Sequence, residues 1–421
     1  MLQESREPKS LYRQIKMKKI LILTTIGGFL PQFEMNDVKI LMEQGYEIHY
    51  ASDFAHPVYK LDTEMLEKMG IRLHFIDIRK SPLRLLHNMR ALRSIVSLMR
   101  REHFNAIHCH NPMGGVLGRL AAVAADRPRK PYIIYTAHGF HFYDGAPLLN
   151  WLLFFPVEFL LAKYTDSIIT INGEDDARAR RLLAGRRRAV YRIPGVGVET
   201  SRFAPDPRIR ERVRKNLRIK ENTFYILSVG ELNRNKNHEV IIQAIASLDD
   251  PDICYGICGK GYRREYLEKL ARKKGIAHQV RFFGFRDDIP EMLQGADCFA
   301  FPSRREGLGI AALEAMAAGL PMITSDCRGT REYMEDNVTG YVCRSGRVSE
   351  YARLIRRMKS DPGKRKAMSD VCRSTAEKFN LQRTDRIMRE VYGKINTASQ
   401  SVSAAQMDRF SDGISGGTRE N

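Results

Sequence analysis

Short apolar segments alternate with longer segments in which apolar residues recur at helical spacing, over most of the chain. This alternation is typical of β-α-β units and predicts parallel sheets. A first series of predicted strands comprises Ile20–Leu23, Glu47–Tyr50, Leu73–Ile76, Ala106–His108, Tyr132–Tyr135 and Ser167–Ile171. A second series comprises Phe224–Val229, Ile253–Cys258, Val280–Phe283, Cys298–Phe301 and Met322–Thr324. Two separate series favour two Rossmann-like α/β domains over one wide sheet.

A Gly- and Pro-rich segment, Ile193–Val198, separates the two series and continues into a charged run up to about Arg218. We place the domain linker there. The predicted parts are an extension (1–16), an N-terminal domain (17–195), a C-terminal domain (196–380), a helix (381–395) and a tail (396–421). The tail is rich in Ser, Gly and Gln, a composition that predicts disorder.

Composition limits the class of protein. A chain of 421 residues is too long for one core and fits two domains. The formal net charge is +20, but the basic residues are dispersed and no nucleic-acid motif accompanies them. We therefore expect no nucleic-acid partner, because anionic substrates and an anionic membrane surface explain the charge as well.

No stretch is apolar enough to predict a transmembrane helix. The most apolar one, Pro147–Ala162, is interrupted by Asn150, Pro156 and Glu158, and we interpret it as a buried helix, with membrane contact as the alternative. The N-terminus lacks the apolar core of a signal peptide. Seven cysteines, an odd number without metal-ligand spacing, favour the reduced cytosol.

The segment from Ser303 to Pro321 carries the strongest chemical pattern. Glu306 and Glu314 are eight residues apart, and Gly307 and Gly309 open an apolar helix between them. Eight residues make a little over two helical turns, which predicts carboxylates on one side of the element. The free N–H groups at a helix start favour a phosphate. Carboxylates for sugar hydroxyls beside such N–H groups suit a nucleotide sugar; an ordinary amphipathic helix is the alternative.

Other candidates follow predicted strands, where ligands of open α/β sheets bind. Lys236 is predicted at a helix start, where its ammonium can meet a diphosphate, although it could also be a solvated lysine. His138 and His141 follow a strand of the first series. Gly27 and Gly28 follow the first strand and are compatible with close approach of a phosphate or acceptor, a weak signal.

The segment from Glu306 to Glu314 resembles the Glu-x7-Glu signature of retaining glycosyltransferases of family 4, which have the GT-B fold. The similarity continues through Thr324-Ser325-Asp326, Gly329-Thr330-Arg331-Glu332 and Asn337-Val338-Thr339-Gly340-Tyr341. It covers about residues 17–395 and is closest to the bacterial branch that builds capsular and exopolysaccharide repeat units on a lipid carrier.

The resemblance implies transfer of a hexose or N-acetylhexosamine from a UDP-sugar to a glycan on a polyprenyl diphosphate carrier, with retention of configuration. The enzyme would act without a cofactor, peripherally at the cytosolic face of the plasma membrane. Two alternatives stay open: a transferase with a soluble acceptor, and a non-catalytic protein that binds anions or nucleic acid through its positive charge.

The resemblance also implies residue roles. Lys236 and the helix start, comprising Gly307, Leu308, Gly309 and Ile310, would stabilise the diphosphate. Glu314 would hold the ribose and Glu306 the sugar hydroxyls. His138 would lie beside the donor sugar and support its developing positive charge or its 6-hydroxyl, with His141 as the fallback.

The remaining roles concern the nucleotide side. Gly259 and Gly261 match the family's nucleotide loop, and Arg286 occupies the position that contacts the base. Many relatives have Arg where this chain has Glu231, so Arg234 is the candidate for a second positive charge. The helix at 381–395 would return to the N-terminal domain.

Asp250-Pro251-Asp252 spells the Asp-x-Asp string of metal-dependent transferases. It precedes the strand at Ile253 and so lies at the amino edge of the predicted sheet. We interpret it as a turn and expect metal-independent catalysis.

The segment from Ser81 to Arg101 predicts an amphipathic helix. Its apolar face comprises Leu85, Met89, Leu92, Val96 and Met99, and its basic flank comprises Arg90, Arg93, Arg100 and Arg101. The helix could pack on its sheet, rest its basic flank on anionic lipid, or do both.

Overall fold

The structure, a computed structural model, describes residues 17–125, 130–185, 188–344 and 346–395. The predicted extension at 1–16 and the predicted disordered tail at 396–421 lie outside the described residues.

Each of the predicted strands is present, with ends that differ by a few residues. The strands are β1 (Lys18–Leu23), β2 (Tyr46–Ser52), β3 (Arg72–Phe75), β4 (Ala106–His110), β5 (Tyr132–Ala137), β6 (Ser167–Thr170), β7 (Ala189–Arg192), β8 (Phe224–Val229), β9 (Ile253–Cys258), β10 (Val280–Gly284), β11 (Cys298–Phe301), β12 (Met322–Ser325) and β13 (Gly340–Cys343). The sequence analysis missed β7 and β13.

These strands form two sheets, with the orders β3-β2-β1-β4-β5-β6-β7 and β10-β9-β8-β11-β12-β13. In the first sheet, β1 pairs in parallel with β2 and with β4, and Ile20 lies opposite both Ile48 and Ala106. In the second, β8 pairs in parallel with β9 and with β11. The predicted α/β class with parallel sheets is confirmed.

The sheets are parallel because their strands are apolar on both faces and helices cover them. Ile20 to Leu23 of β1 are fully buried. In the second sheet, Ile226, Ile257 and Ile323 share one core cluster with Ile241 of a covering helix.

The described helices are α1 (Phe29–Phe33), α2 (Met35–Glu43), α3 (Thr63–Lys68), α4 (Leu85–Glu102), α5 (Pro112–Ala124), α6 (Leu148–Ala162), α7 (Gly173–Leu182), α8 (Pro207–Asn216), α9 (His238–Leu248), α10 (Arg264–Lys273), α11 (Ile289–Gln294), α12 (Ile310–Ala317), α13 (Val348–Ser360), α14 (Pro362–Glu377) and α15 (381–395). The charged run that we assigned to a linker contains α8. The Asp206 carboxylate caps α8 by accepting a hydrogen bond from the Arg208 N–H, and Pro207 occupies its first turn.

The chain divides into two compact units. Among the described residues, unit one comprises 17–134 and 392–395, and unit two comprises 135–391. This division does not follow the predicted boundary at residue 195, which stays a prediction. Helix α15 begins in unit two and ends in unit one.

The interpretation of Pro147–Ala162 as a buried helix is wrong. Only Glu158, Leu161 and Ala162 of α6 are buried. Its other large apolar side chains are mostly exposed: Leu148, Leu149, Leu152, Leu153, Phe155, Val157, Phe159 and Leu160. Among the described residues, no helix is long and apolar enough to cross a membrane.

The predicted apolar face of α4 is only partly correct, because Met99 is buried and Leu92 and Val96 are half-buried. The helix buries Asn88, Ala91, Ile95, Leu98 and Met99. Leu85 and Met89, expected on the packed face, are exposed together with Leu83 and Leu86. The first turns of α4 therefore extend beyond the core of unit one. The basic flank is divided as well, because the Arg100 guanidinium donates to the carbonyls of Ala124 and Ala125.

Candidate active site

Lys236 and Glu306 meet beyond the carboxyl ends of β8 and β11. Lys236 lies two residues before α9, and its Nζ donates to Glu306 Oε1 at 2.7 Å. The ammonium also lies 4.8 Å from the centre of the Phe301 ring. A Cβ on Gly230 would lie 3.2 Å from Lys236 Cε, so the lysine stem runs along that glycine. The predicted cation and the predicted sugar carboxylate thus form one ion pair.

Two hydrogen bonds, one between backbones and one from the Asn235 side chain, hold the two loops of this pair together. The Arg304 N–H donates to the carbonyl of Asn235 at 2.8 Å. In return, Asn235 Nδ2 donates to the Arg305 carbonyl at 2.9 Å. The loops are therefore aligned independently of the ion pair itself.

The helical-spacing argument for Glu306 and Glu314 is wrong. Helix α12 begins at Ile310, so Glu306 lies in the preceding loop and only Glu314 is helical. Gly309 caps the helix with φ 92°, and a Cβ there would lie 2.8 Å from the Phe301 ring. Glycine is required at this position, because both the conformation and the space exclude a side chain.

Glu314 lies in a different environment from Glu306. Burial raises the pKa of the Glu314 carboxyl to about 7, against a weaker opposing effect of Arg202. Among the described residues, its carboxylate has no hydrogen-bond or ion-pair partner. Near neutral pH this carboxyl is present in both its protonated and its ionised form, so it can donate or accept a hydrogen bond. Both abilities suit binding to two neighbouring hydroxyls of a diol.

His138 lies against the loop that precedes α12. A Cβ on Gly307 would lie 2.3 Å from the His138 carbonyl oxygen, so only glycine permits this approach. Asn172 Nδ2 donates to the Gly307 carbonyl at 3.2 Å. Burial lowers the pKa of the His138 imidazole to about 4, so this side chain is neutral at physiological pH.

The sequence analysis missed a buried ion pair beside this contact. Arg328 Nη1 donates to Asp175 Oδ1 at 2.8 Å and to the Phe140 carbonyl at 3.3 Å. Asn172 Nδ2 donates to the other oxygen of Asp175 at 2.8 Å. A Cβ on Gly139 would lie 2.7 Å from the Arg328 guanidinium. No local pattern could reveal this pair, because its members are 153 positions apart.

Besides the pair of Arg328 and Asp175, Glu332 is a residue to which the sequence analysis assigned no role. Its Oε1 accepts a hydrogen bond from the Gly173 N–H at 2.8 Å, and its Oε2 pairs with Arg192. The similarity to family 4 includes this glutamate, so the motif was visible although its contacts were not.

His141, the fallback candidate, is held differently from His138. Its ring packs against Phe154 of α6 with 4.6 Å between centres, and its carbonyl accepts a hydrogen bond from Asn150. Burial lowers the pKa of His141, and the nearby Arg305 and Arg328 lower it further.

The candidates on the nucleotide side have mixed environments. Arg234 is exposed and its side chain has no ion pair among the described residues. Arg286 pairs through two hydrogen bonds with Asp288. Glu231, the departure from the family pattern, accepts a hydrogen bond from Asn233 at 2.8 Å. Arg234 is therefore free to meet an anion, whereas Arg286 would first have to leave Asp288.

Close packing within the loops explains why the candidate positions are glycines. A Cβ on Gly259 would lie 1.9 Å from the Gly230 carbonyl, and one on Gly261 would lie 2.4 Å from that of Leu232. In unit one, a Cβ on Gly27 would lie 2.3 Å from the Asp53 carbonyl oxygen, and one on Gly28 would lie 2.6 Å from that of Tyr59. These positions need glycine for loop packing, and their ligand roles stay predictions.

Asp250 forms the predicted turn before β9. Its Oδ1 accepts a hydrogen bond from the Asp252 N–H at 3.1 Å, and both its oxygens accept from Lys359. A carboxylate already paired in this way is a structural element of the turn.

Comparison with known proteins defines the class. A family model described as glycosyl transferases group 1 matches residues 209–374, and one described as glycosyl transferase 4-like matches residues 19–172. EpsD of Bacillus subtilis (strain 168), named as a glycosyltransferase, is 37% identical over 91% of this chain and 100% of the relative. A UDP-Gal:α-D-GlcNAc-diphosphoundecaprenol α-1,3-galactosyltransferase of Escherichia coli is 26% identical, over 90% and 97%.

Solved structures agree on the fold. HepE of Anabaena, in complex with UDP and glucose, superimposes with a TM-score of 0.72 at 20% identity, over 90% of this chain and 100% of that one. WaaG, a glycosyltransferase involved in lipopolysaccharide biosynthesis, gives 0.67 at 19% identity, over 89% and 99%. The fold is that of the GT-B glycosyltransferases. The chain belongs to the bacterial glycosyltransferases of family 4.

Proposed function

We propose that this protein is a retaining glycosyltransferase that moves a hexose or N-acetylhexosamine from a UDP-sugar to a glycan on a polyprenyl diphosphate carrier. The ion pair of Lys236 with Glu306 carries the proposal. It brings a cation for a diphosphate and a carboxylate for sugar hydroxyls to one point beyond the sheet. The relatives support this proposal, since the Escherichia coli enzyme is named for a UDP-sugar donor and a diphosphoundecaprenol acceptor.

On binding, the donor would replace the contact between Lys236 and Glu306 with its own contacts to each of them. Its diphosphate takes the Lys236 ammonium and the free N–H groups at the start of α12, where negative charge is favoured. Glu306 then accepts hydrogen bonds from the sugar hydroxyls. The bond from the anomeric carbon to the phosphate oxygen breaks, the acceptor oxygen bonds to the same face, and its proton passes to the departing phosphate. Stabilising the departing charge is the main catalytic contribution of Lys236.

His138 and Glu314 would act at opposite ends of the donor. A neutral His138 can hydrogen-bond the 6-hydroxyl without repelling the positive charge that develops on the sugar ring. Glu314 would hold the ribose diol, for which a carboxyl with a pKa of about 7 can supply both a donor and an acceptor. We propose no cofactor and no metal ion, because Asp250 and Asp252 lie in a turn before β9.

The acceptor implies a membrane. We propose that the protein acts peripherally at the cytosolic face of the plasma membrane. The exposed start of α4 supports this, since Leu83, Leu85 and Leu86 stand beside Arg84 and Arg90. Apolar side chains flanked by arginines suit an anionic lipid surface.

A screen of UDP-sugars tests the proposal. Purified protein is incubated with UDP-glucose, UDP-galactose, UDP-N-acetylglucosamine or UDP-N-acetylgalactosamine, with and without a polyprenyl diphosphate sugar, and UDP release is measured. We expect one donor to give release that requires the lipid-linked acceptor and survives EDTA.

Three results would change the proposal. Equal release with a soluble sugar acceptor would favour the alternative acceptor. Loss in EDTA that manganese restores would overturn the metal-independent mechanism. An absence of release with every donor, together with no thermal shift by UDP, would overturn UDP-sugar transfer as the function.

A further inference from the structure

The outward side of α6 is an apolar surface that stays exposed in the part of the chain that the structure describes. Leu148, Leu149 and Leu152 are 74%, 62% and 65% exposed. At 100° per residue, the exposed positions of the helix cover an arc of roughly 200°. This α6 face comprises Leu148, Leu149, Leu152, Leu153, Phe155, Pro156, Val157, Phe159 and Leu160.

The α6 face carries no charge. Glu158 is the only ionisable residue of the helix, and it is buried on the opposite side. The next charged residue, Lys163, is exposed directly after the helix. A contiguous apolar surface of nine side chains is rare on soluble proteins and marks an interaction site.

The opposite side of α6 is held firmly. Phe154 packs on His141, and Trp151 packs on Phe142 with 5.6 Å between ring centres. The Arg178 guanidinium lies 5.0 Å from the centre of the Trp151 ring. The exposure therefore belongs to an anchored helix and not to a displaced one.

We infer that the α6 face inserts into the acyl boundary of a lipid bilayer, with the helix lying in the plane of the membrane. The breadth of the arc favours lipid, because a partner helix covers a stripe of only about 100°, whereas acyl chains surround a helix. At about 1.5 Å per residue, its 15 residues span about 22 Å, short of the roughly 30 Å needed to cross. Lys163 at its end suits anionic headgroups.

Insertion would bring one site loop to the membrane. The residues between β5 and α6 include His138 and His141, and the side chain of Asn150 in α6 donates to the His141 carbonyl. A diphosphate at the lipid surface would then lie near this loop. The inference specifies the membrane contact proposed above, and its test measures insertion without turnover.

Trp151, the single tryptophan of the chain, lies on the held side of α6. The variant Trp151→Phe/Leu149→Trp therefore moves the tryptophan probe to the exposed α6 face. Purified protein is mixed with vesicles of phosphatidylcholine and phosphatidylglycerol, some carrying brominated acyl chains. We expect the emission of the tryptophan placed at position 149 to shift to the blue and to be quenched by the brominated lipid. Unchanged emission on vesicles that the protein binds would overturn the inference, because another surface would then make the contact.

A charge-neutral variant tests the same surface by flotation. Leu149→Gln/Leu153→Gln/Leu160→Gln should lower vesicle binding roughly tenfold or more, because three exposed leucines lose their transfer into lipid. The matched control, Val58→Gln/Met65→Gln/Phe75→Gln, replaces exposed apolar residues of unit one and should float like the wild type. Circular dichroism checks that both variants are folded.

Other outcomes separate the inference from the proposed function. A wild-type dimer that the α6 variant makes monomeric, with no vesicle effect on the tryptophan placed at position 149, would identify a second copy as the occupant and overturn the inference. Insertion in a protein that releases no UDP from any donor and shows no thermal shift with UDP would leave the inference standing and remove the proposed function. Normal flotation of the α6 variant would contradict the inference alone.

Discussion

The ammonium of Lys236 lies 2.7 Å from a carboxylate oxygen of Glu306, and both side chains are mostly buried. In the free protein, therefore, the carboxylate expected to hold the sugar neutralises the cation expected to hold the diphosphate. In the proposed mechanism, donor binding separates two charges that stabilise each other. The two residues should consequently respond differently to neutralisation.

Lys236→Ala should lower turnover about a hundredfold or more and reduce the thermal shift produced by UDP, because the diphosphate loses its cation. Glu306→Gln should also lower turnover but keep or increase the UDP shift, since it releases Lys236 from its partner. Steady-state kinetics and thermal-shift titrations with UDP measure both effects.

Lys359→Ala is the matched control, because Lys359 forms a similar pair with Asp250. This variant should retain turnover and the UDP shift. Equal losses of UDP binding in Lys236→Ala and Glu306→Gln would contradict the exchange of partners and indicate a structural ion pair.

His138→Ala should lower kcat by about two orders of magnitude, the scale of one positioned catalytic group. UDP binding should barely change, since Lys236 and Glu314 are expected to hold the nucleotide. The exposed His278→Ala is the control. Normal turnover would move the role to His141, and joint loss of stability and UDP affinity would show that the histidine is structural.

Glu314 should make stability depend on pH. Its pKa is raised from 4.5 to about 7, so the folded state favours the protonated carboxyl. The stability that this group contributes to the folded state is fully present below pH 4.5. It is lost as the pH rises towards 7 and above. Glu314→Gln should therefore gain stability relative to the wild type across this range, measured as the difference in Tm.

The same residue provides a binding test. Glu314→Ala should weaken the thermal shift by UDP, because the ribose loses its carboxylate. Glu265→Ala, at an exposed position of α10, should leave the shift unchanged. An unaltered UDP affinity in Glu314→Ala would remove Glu314 from the nucleotide site.

Arg84→Glu/Arg90→Glu/Arg93→Glu should weaken binding to anionic vesicles and leave UDP affinity alone. Each arginine near such a surface contributes roughly 1 kcal/mol, and the effect should disappear on phosphatidylcholine alone. Arg100 is left intact because it donates to the end of α5. The control Arg212→Glu/Lys366→Glu/Arg386→Glu applies the same charge change at exposed positions elsewhere. Equal losses in both variants would indicate a general charge effect.

Most strands were predictable because burial on both faces leaves a continuous apolar run. The two that were missed explain the limit of this signal. Strand β7 has four residues, of which three are partly buried and one is exposed, and β13 also has only four. Length alone is not the reason, because β3, β6, β11 and β12 also have four residues and were predicted. The apolar run of β7 lies between Arg188 and Arg192, and β13 begins at Gly340, so neither stands out from a loop.

The candidate site was predictable where a residue follows a strand, as Lys236 and His138 do. The angular argument for Glu306 failed because Gly309 adopts a left-handed conformation that delays α12 to Ile310. The faces of α4 and α6 failed for another reason. Periodicity identifies an apolar side of a helix, but whether that side is covered depends on residues distant in sequence.

The buried ion pair of Arg328 with Asp175 limits which relatives can be joined in a chimaera. A chimaera joined within 193–198 would take these residues from two parents. A parent with a neutral residue in place of Arg328 would leave Asp175, which is fully buried, without its counter-charge. Such a loss costs about 3–5 kcal/mol, enough to unfold many domains. The part of the chain after residue 198 can therefore be transplanted only between relatives that share this pair, or together with a compensating change at Asp175.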